Sequence, residues 1–152
     1  MVILGLDLGA VRIGYATSDP GEQLATPRGV IKRRSTAQAL DAVVRIAREV
    51  EAELVVVGLP ISLDGGLHGQ AKAVQAFAER LRTRLNLPLV YQDERLSTVT
   101  AAEALRAAGV RPERIRERLD AAAAAVILRD FLDQRQVAGT SGSVLGGSLP
   151  EG

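Results

Sequence analysis

Residues 2–18 read Val-Ile-Leu-Gly-Leu-Asp-Leu-Gly-Ala-Val-Arg-Ile-Gly-Tyr-Ala-Thr-Ser, and their reading decides the fold. Val2 to Leu8 is a near-continuous apolar run, the pattern of a strand covered on both faces, and Gly9 ends it. Arg12 to Ser18 makes a second strand only a few residues later. A parallel return needs a crossover of about a dozen residues, so the two strands must pair antiparallel. Asp19-Pro20-Gly21 marks a turn, and Thr26 to Lys32 completes a three-stranded meander.

Outward from this meander the period changes. Leu40, Val43, Val44 and Ala47 recur at helical spacing from Thr36, with Ser35 placed to cap. Glu53 to Leu59 is a buried strand, and a strand, a helix and a further strand make a right-handed crossover, which sets it parallel to the sheet's centre. A second helix over Gln70 to Leu85, a fifth strand over Pro88 to Gln92, a helix from Ser97 to about Ala108 and a last helix from Pro112 to about Gln134 follow. The order βββαβαβαα predicts an α/β fold: a five-stranded mixed sheet, an antiparallel three-strand meander plus two parallel strands, with helices on both faces. Residues 1–137 read as one domain, and the glycine- and serine-rich stretch 138–152 as a flexible tail.

At 152 residues and 47% apolar, the chain has enough core to need neither disulfides nor a structural metal. It contains no cysteine and one histidine, His68, which excludes thiol chemistry and a thiolate zinc site and leaves a Ser-His-Asp triad without support. No run approaches the length of a membrane span and the N-terminus lacks a signal-peptide pattern, so a soluble, cytoplasmic protein without a membrane partner is expected. Neither GxxxxGK[ST] nor GxGxxG occurs. The net charge is only +1, but the bases are clustered, four within Arg28 to Arg34 and four within Arg111 to Arg118. Of the 19 bases only Lys32 and Lys72 are lysine, a bias suited to bidentate phosphate contacts and matched equally by a GC-rich coding composition.

Three carboxylates lie in apolar surroundings. Asp7 interrupts the first strand, where an ionised group needs a cation, a donor cluster or a metal. Asp93 and Glu94 follow the fifth strand; if its pleat continues they point to opposite faces, so only one shares a site with Asp7. Asp120 stacks on Ala123, Ala124, Ile127 and Phe131 along the helix face to be pressed on the sheet, and the alanines 121–125 let that helix approach closely. For Asp120 the structural alternative is an ion pair with an arginine such as Arg12 or Arg95. Three acids from three elements aimed at one sheet edge form an all-oxygen site suited to Mg²⁺ or Mn²⁺. Two such ions would support in-line hydrolysis of a phosphodiester.

Four blocks, LGLDLGAVRIGYATSD from Leu4, GLPISLDGGLHGQA from Gly58, DERLSTVTAAEAL from Asp93 and LDAAAAAVILRDFL from Leu119, resemble the YqgF/RuvX family of pre-16S rRNA nucleases and Holliday-junction resolvase-like proteins. The resemblance implies an RNase H-like fold and a metal-dependent nuclease in which Asp7, Glu94 and Asp120 are the catalytic and metal-binding acids. It is this resemblance, not the spacing, that selects Glu94 over Asp93. The chain departs at Val11, where the family carries a base, so one phosphate contact is missing while Arg12 is retained.

The expected activity is therefore cleavage of structured nucleic acid with Mg²⁺ or Mn²⁺, Asp7 bridging two ions and Glu94 and Asp120 each completing one shell. The substrate is either the 5′ end of pre-16S rRNA or a Holliday junction, and symmetric cutting of a junction would call for a homodimer. Arg12, Arg95, Arg114 and Arg118 are the candidate phosphate contacts. With 3% aromatic residues base stacking adds little, so binding should be shape-based and salt-dependent. The alternatives are a non-catalytic RNA- or ribosome-binding module of the same fold, and an actin-type ATPase fragment, which the chain's length disfavours.

Overall fold

A computed structural model describes residues 1–60, 69–94, 109 and 111–144. Its elements are β1 (Ile3–Leu8), β2 (Arg12–Ser18), β3 (Ala25–Lys32), α1 (Thr36–Glu49), β4 (Leu54–Pro60), α2 (Gly69–Leu85), β5 (Leu89–Glu94) and α3 (Pro112–Val144). The strands form one sheet in the order β3-β2-β1-β4-β5. β1–β2 and β2–β3 pair antiparallel, and β4 and β5 add in parallel, as the chain order requires.

Local chemistry explains the boundaries. The Ser35 hydroxyl accepts the Gln38 amide N–H at 3.0 Å, and the Gln38 side chain reaches back to accept the Arg34 N–H at 2.8 Å. The first bond satisfies a backbone donor that the first turn of α1 leaves open, and the second ties the residue before the cap to that turn. In the β2–β3 turn the Asp19 carboxylate accepts the N–H groups of Gly21, Gln23 and Leu24. Those bonds, the one from Leu24 foremost, hold its pKa below the usual value.

Side chains alternate across the pleat and divide the core in two. Leu4, Leu6, Leu8, Ile13, Val55, Val57 and Leu59 meet α1 and α2 on one face. On the opposite face Ile3, Ala16, Leu54 and Val56 meet Ala124, Ile127, Leu128 and Leu132 of α3. Helices thus cover both faces, as predicted.

Two boundaries differ from expectation. β5 runs to Glu94 rather than Gln92, because each residue to Glu94 has a partner on β4, ending with Pro60 opposite Glu94. α3 continues to Val144 rather than about Gln134, taking up residues 138–144 of the stretch read as a tail. Gly139 and Gly142 each cost a helix only about 1 kcal/mol, and extending an existing helix avoids the cost of nucleation. The predicted helix from Ser97 to Ala108, and His68, lie outside the described residues. No helix among the described residues is long and apolar enough to cross a membrane.

Candidate active site

The site is built on glycine. A Cβ on Gly14 would stand 1.9 Å from the carbonyl oxygen of Asp120, and one on Gly5 would stand 2.9 Å from Cβ of Leu128. Both glycines lie on the α3 face of adjacent strands, so the helix backbone crosses β1 and β2 where any side chain would hold it off. Gly14 pairs directly with Asp7. The same contact that seats α3 therefore delivers Asp120 beside the strand position next to Asp7. Sequence reading identified the acids and the alanines but not these glycines. The available signal was Gly5 and Gly14 standing within strands where a side chain would normally pack.

The pleat separates Asp93 from Glu94. Position 93 pairs with Leu59, whose side chain belongs to the α1/α2 core, and position 94 pairs with Pro60 in the same register series as Val56–Val90 and Gly58–Gln92 on the α3 face. Asp7, through Gly5 and Ile3, belongs to that same face. β1, β4 and β5 are parallel, so Asp7 and position 94 lie towards the carboxyl ends of the two strands that flank β4, the end at which open α/β sheets place their ligands.

Asp7 is half-buried, as is Asp120. Arg12 Nε donates to Asp120 Oδ2 at 2.7 Å, with the two side chains 21% and 26% exposed. This is the ion pair that the sequence offered as the structural alternative for Asp120, formed by a residue that it also offered as a phosphate contact. Asp7 and Asp120 carry the carboxylate oxygens that a hard divalent cation prefers, but among the described residues no three acids are grouped closely enough to hold one. Such an ion would compete with Arg12 for Asp120. Arg114 and Arg118 are exposed on α3. At about 100° per residue, Arg118 stands about 160° around the helix from Asp120, away from the sheet. Arg95 and the side chain of Glu94 lie outside the described residues, while Val11, the position that departs from the family pattern, is 62% exposed in the β1–β2 turn.

The backbone of that turn is tied down from β3. Arg33 Nη1 donates to the Gly9 carbonyl at 2.8 Å, and its guanidinium lies 4.7 Å from the Phe77 ring centre of α2. The turn following Asp7 is thereby held from both the sheet edge and the helix layer, a role for Arg33 that sequence reading missed.

Residues 1–134 match the family model described as RuvX, Holliday junction resolvase. Curated relatives named "Putative pre-16S rRNA nuclease" include one from Synechococcus sp. (strain ATCC 27144), 44% identical over 88% of this chain and 89% of its own. Another, from Anaeromyxobacter sp. (strain K), is 44% identical over 89% of this chain and 98% of its own. One from Roseiflexus sp. (strain RS-1) is 38% identical over 88% and 95%. Among solved structures, Thermus thermophilus RuvC in complex with a Holliday junction substrate aligns with a TM-score of 0.56 and 18% identity over 90% of this chain and 96% of that one. The fowlpox virus Holliday junction resolvase aligns at 0.54 and 15% over 88% and 99%. At such identities the likeness is one of fold, and it establishes the RNase H-like architecture.

Proposed function

The chain belongs to the RuvX family, and from that premise we propose that it is a divalent-metal-dependent endonuclease acting on structured nucleic acid. The observation that carries this reading is that the backbone of Asp120 meets Gly14, the strand partner of Asp7, while position 94 ends β5 in the register series of the α3 face. Asp7, Glu94 and Asp120 hold Mg²⁺ or Mn²⁺. When bound, such an ion neutralises charge at the scissile phosphate and lowers the pKa of water. Asp7, reaching from the strand between β2 and β4, is the central ligand, with Glu94 and Asp120 on either side of it.

Arg12 then serves in two states: it balances Asp120 in the free protein and turns to a phosphate when metal and substrate arrive. Arg95, Arg114 and Arg118 contact the backbone on either side of the cut, the last two from the outer surface of α3, where a duplex arm would pass. The substrates named for the relatives and the family, pre-16S rRNA and Holliday junctions, present the same phosphodiester to this chemistry. A cytoplasmic protein handling one of them accords with the chain's composition, and a homodimer is required only for paired cuts in a junction.

The Arg12–Asp120 pair favours one other reading, a binding module whose acids serve only the fold. Cleavage by the protein and its Asp7→Asn variant separates the two. The substrates are a four-way DNA junction, linear duplex DNA and an RNA spanning the 16S precursor's 5′ end, each tested with Mn²⁺ and with EDTA. Metal-dependent cutting reduced to background in Asp7→Asn, with melting temperature unchanged or raised because like charges no longer oppose one another, supports the nuclease. Binding without cutting of any substrate, or unfolding of the variant, supports the module.

A further inference from the structure

The basic cluster within Arg28 to Arg34 takes no part in the site above, and the structure divides it. Arg28 Nε donates to the buried Thr17 hydroxyl at 2.8 Å, and Arg33 is committed to Gly9 and Phe77. Lys32 and Arg34 instead face a concavity of about 310 Å³ between β3 and α1, to which α1 adds Arg45. Among the described residues none of these three cations has a carboxylate within ion-pair distance. The remaining polar lining, Tyr15 and Gln38, is uncharged. Asp41, the acid on the first half of α1, is held by Arg84 of α2. Three neighbouring cations left without counter-charges repel one another, a cost that an anionic ligand would relieve.

Position relates this groove to the acids. Lys32 pairs across the strands with Arg12, the residue that holds Asp120. Lys32 thus stands one strand from the Arg12–Asp120 pair at the β3 edge, and Arg34 and Arg45 follow on the α1 side of that edge. In the plane of the sheet β1 to β3 is two strand spacings, about 10 Å, and a phosphate backbone that reaches the groove from Asp7 also passes around the β3 edge to the α1 side.

We propose that the groove of Lys32, Arg34 and Arg45 is a second contact for the phosphate backbone of the nucleic acid cut at Asp7, Glu94 and Asp120. The ligand is a run of phosphodiesters, recognised by charge and not by base, because the groove offers cations and little aromatic surface. The proposal rests on the nuclease reading for the identity of its ligand, so cutting and binding are measured separately.

The test uses the full chain and a Lys32→Gln/Arg34→Gln/Arg45→Gln variant, with labelled junction DNA and precursor RNA in EDTA across a salt series. Melting should be unchanged. Affinity should fall about tenfold or more on both probes at low salt, and the slope of log affinity against log salt should become shallower by about two to three for three lost phosphate contacts. A Lys32→Arg/Arg34→Lys/Arg45→Lys variant, which keeps the charges, should restore the slope. An unchanged slope in the glutamine variant, while the parent binds, overturns the groove and leaves the nuclease standing. Loss of pyrophosphate binding in that variant with nucleic-acid affinity intact makes the groove an anion site and also overturns the proposal. A parent that cuts nothing with Mn²⁺ but binds through the groove overturns the nuclease alone, and a parent that binds neither probe overturns both.

Discussion

On the α1/α2 face the central strands present Leu4, Leu6, Leu8, Val55, Val57 and Leu59, whereas on the α3 face β1 and β2 present, beyond Ile3, only Gly5, Gly14 and Ala16 where the helix crosses them. The first face keeps its helices at the distance set by large side chains and is sealed by Val43, Phe77 and Leu81. The second brings a helix backbone into direct contact with the strands. Bulk on one face supplies apolar burial, about 25 cal/mol per Å². Its omission on the other positions a carboxylate. Both faces carry an apolar core, but only the α3 face leaves bulk out of the adjacent strand positions that the helix backbone meets, and the difference lies in side-chain volume at alternating positions.

The contrast is most severely tested by Gly14→Ala. The added carbon would overlap the Asp120 carbonyl, a backbone atom that cannot rotate away, so α3 must shift. A loss of about 3 kcal/mol, near the upper end for overpacking, is expected in denaturant titration, together with loss of cleavage even where the protein is folded. A well-folded, fully active Gly14→Ala would show that the helix contact does not set the site. Leu81→Ala on the other face should cost a comparable or slightly smaller amount, about 2 to 3 kcal/mol, since Leu81 is fully buried. Its cleavage rate, measured well below its melting temperature, should match the parent's, and a rate loss equal to that of Gly14→Ala would erase the distinction between the faces.

The smallest effect is a pH dependence confined to the α1/α2 side. Tyr91 donates its hydroxyl to Glu79 at 2.9 Å, and Arg82 holds the same carboxylate. Burial first, then the bond to Glu79 and the charge of that carboxylate, push the Tyr91 phenol up from 10.0 to about 12. Because the folded form binds this proton more tightly than the unfolded chain, the contribution is complete below pH 10 and is lost as pH rises towards about 12. Alkaline unfolding of Tyr91→Phe should lack this component. An unchanged alkaline profile would remove Tyr91 from that account, and at neutral pH cleavage by Tyr91→Phe should be unaltered.

Much of this was readable along the chain. The short link between the first two strands forces antiparallel pairing, and helical and alternating periodicities mark α1, β4 and α2 within a residue or two of their ends. Asp7 and Asp120 stand out as carboxylates among apolar neighbours, because ionised groups are costly there. Less legible were features that depend on partners distant in sequence. Propensity ended β5 at Gln92, but hydrogen bonding to β4 carries it on to Glu94. Gly14 looked like any strand glycine until Asp120, 106 residues later, was placed on it. Four bases in one segment looked equivalent, but Thr17, Gly9 and Phe77 engage Arg28 and Arg33 and leave Lys32 and Arg34 open.

By itself, then, the sequence determined the strand and helix order, the meander, the acids that need partners and the family to which the chain belongs, all consequences of local periodicity, chain reach and residue type. Only the tertiary structure decided how closely α3 approaches the sheet, which strand position the Asp120 backbone meets and which cations among the described residues are left without counter-charges. Those depend on register and on contacts between segments far apart in the chain, where a single missing Cβ or one further pair of strand residues sets what meets what.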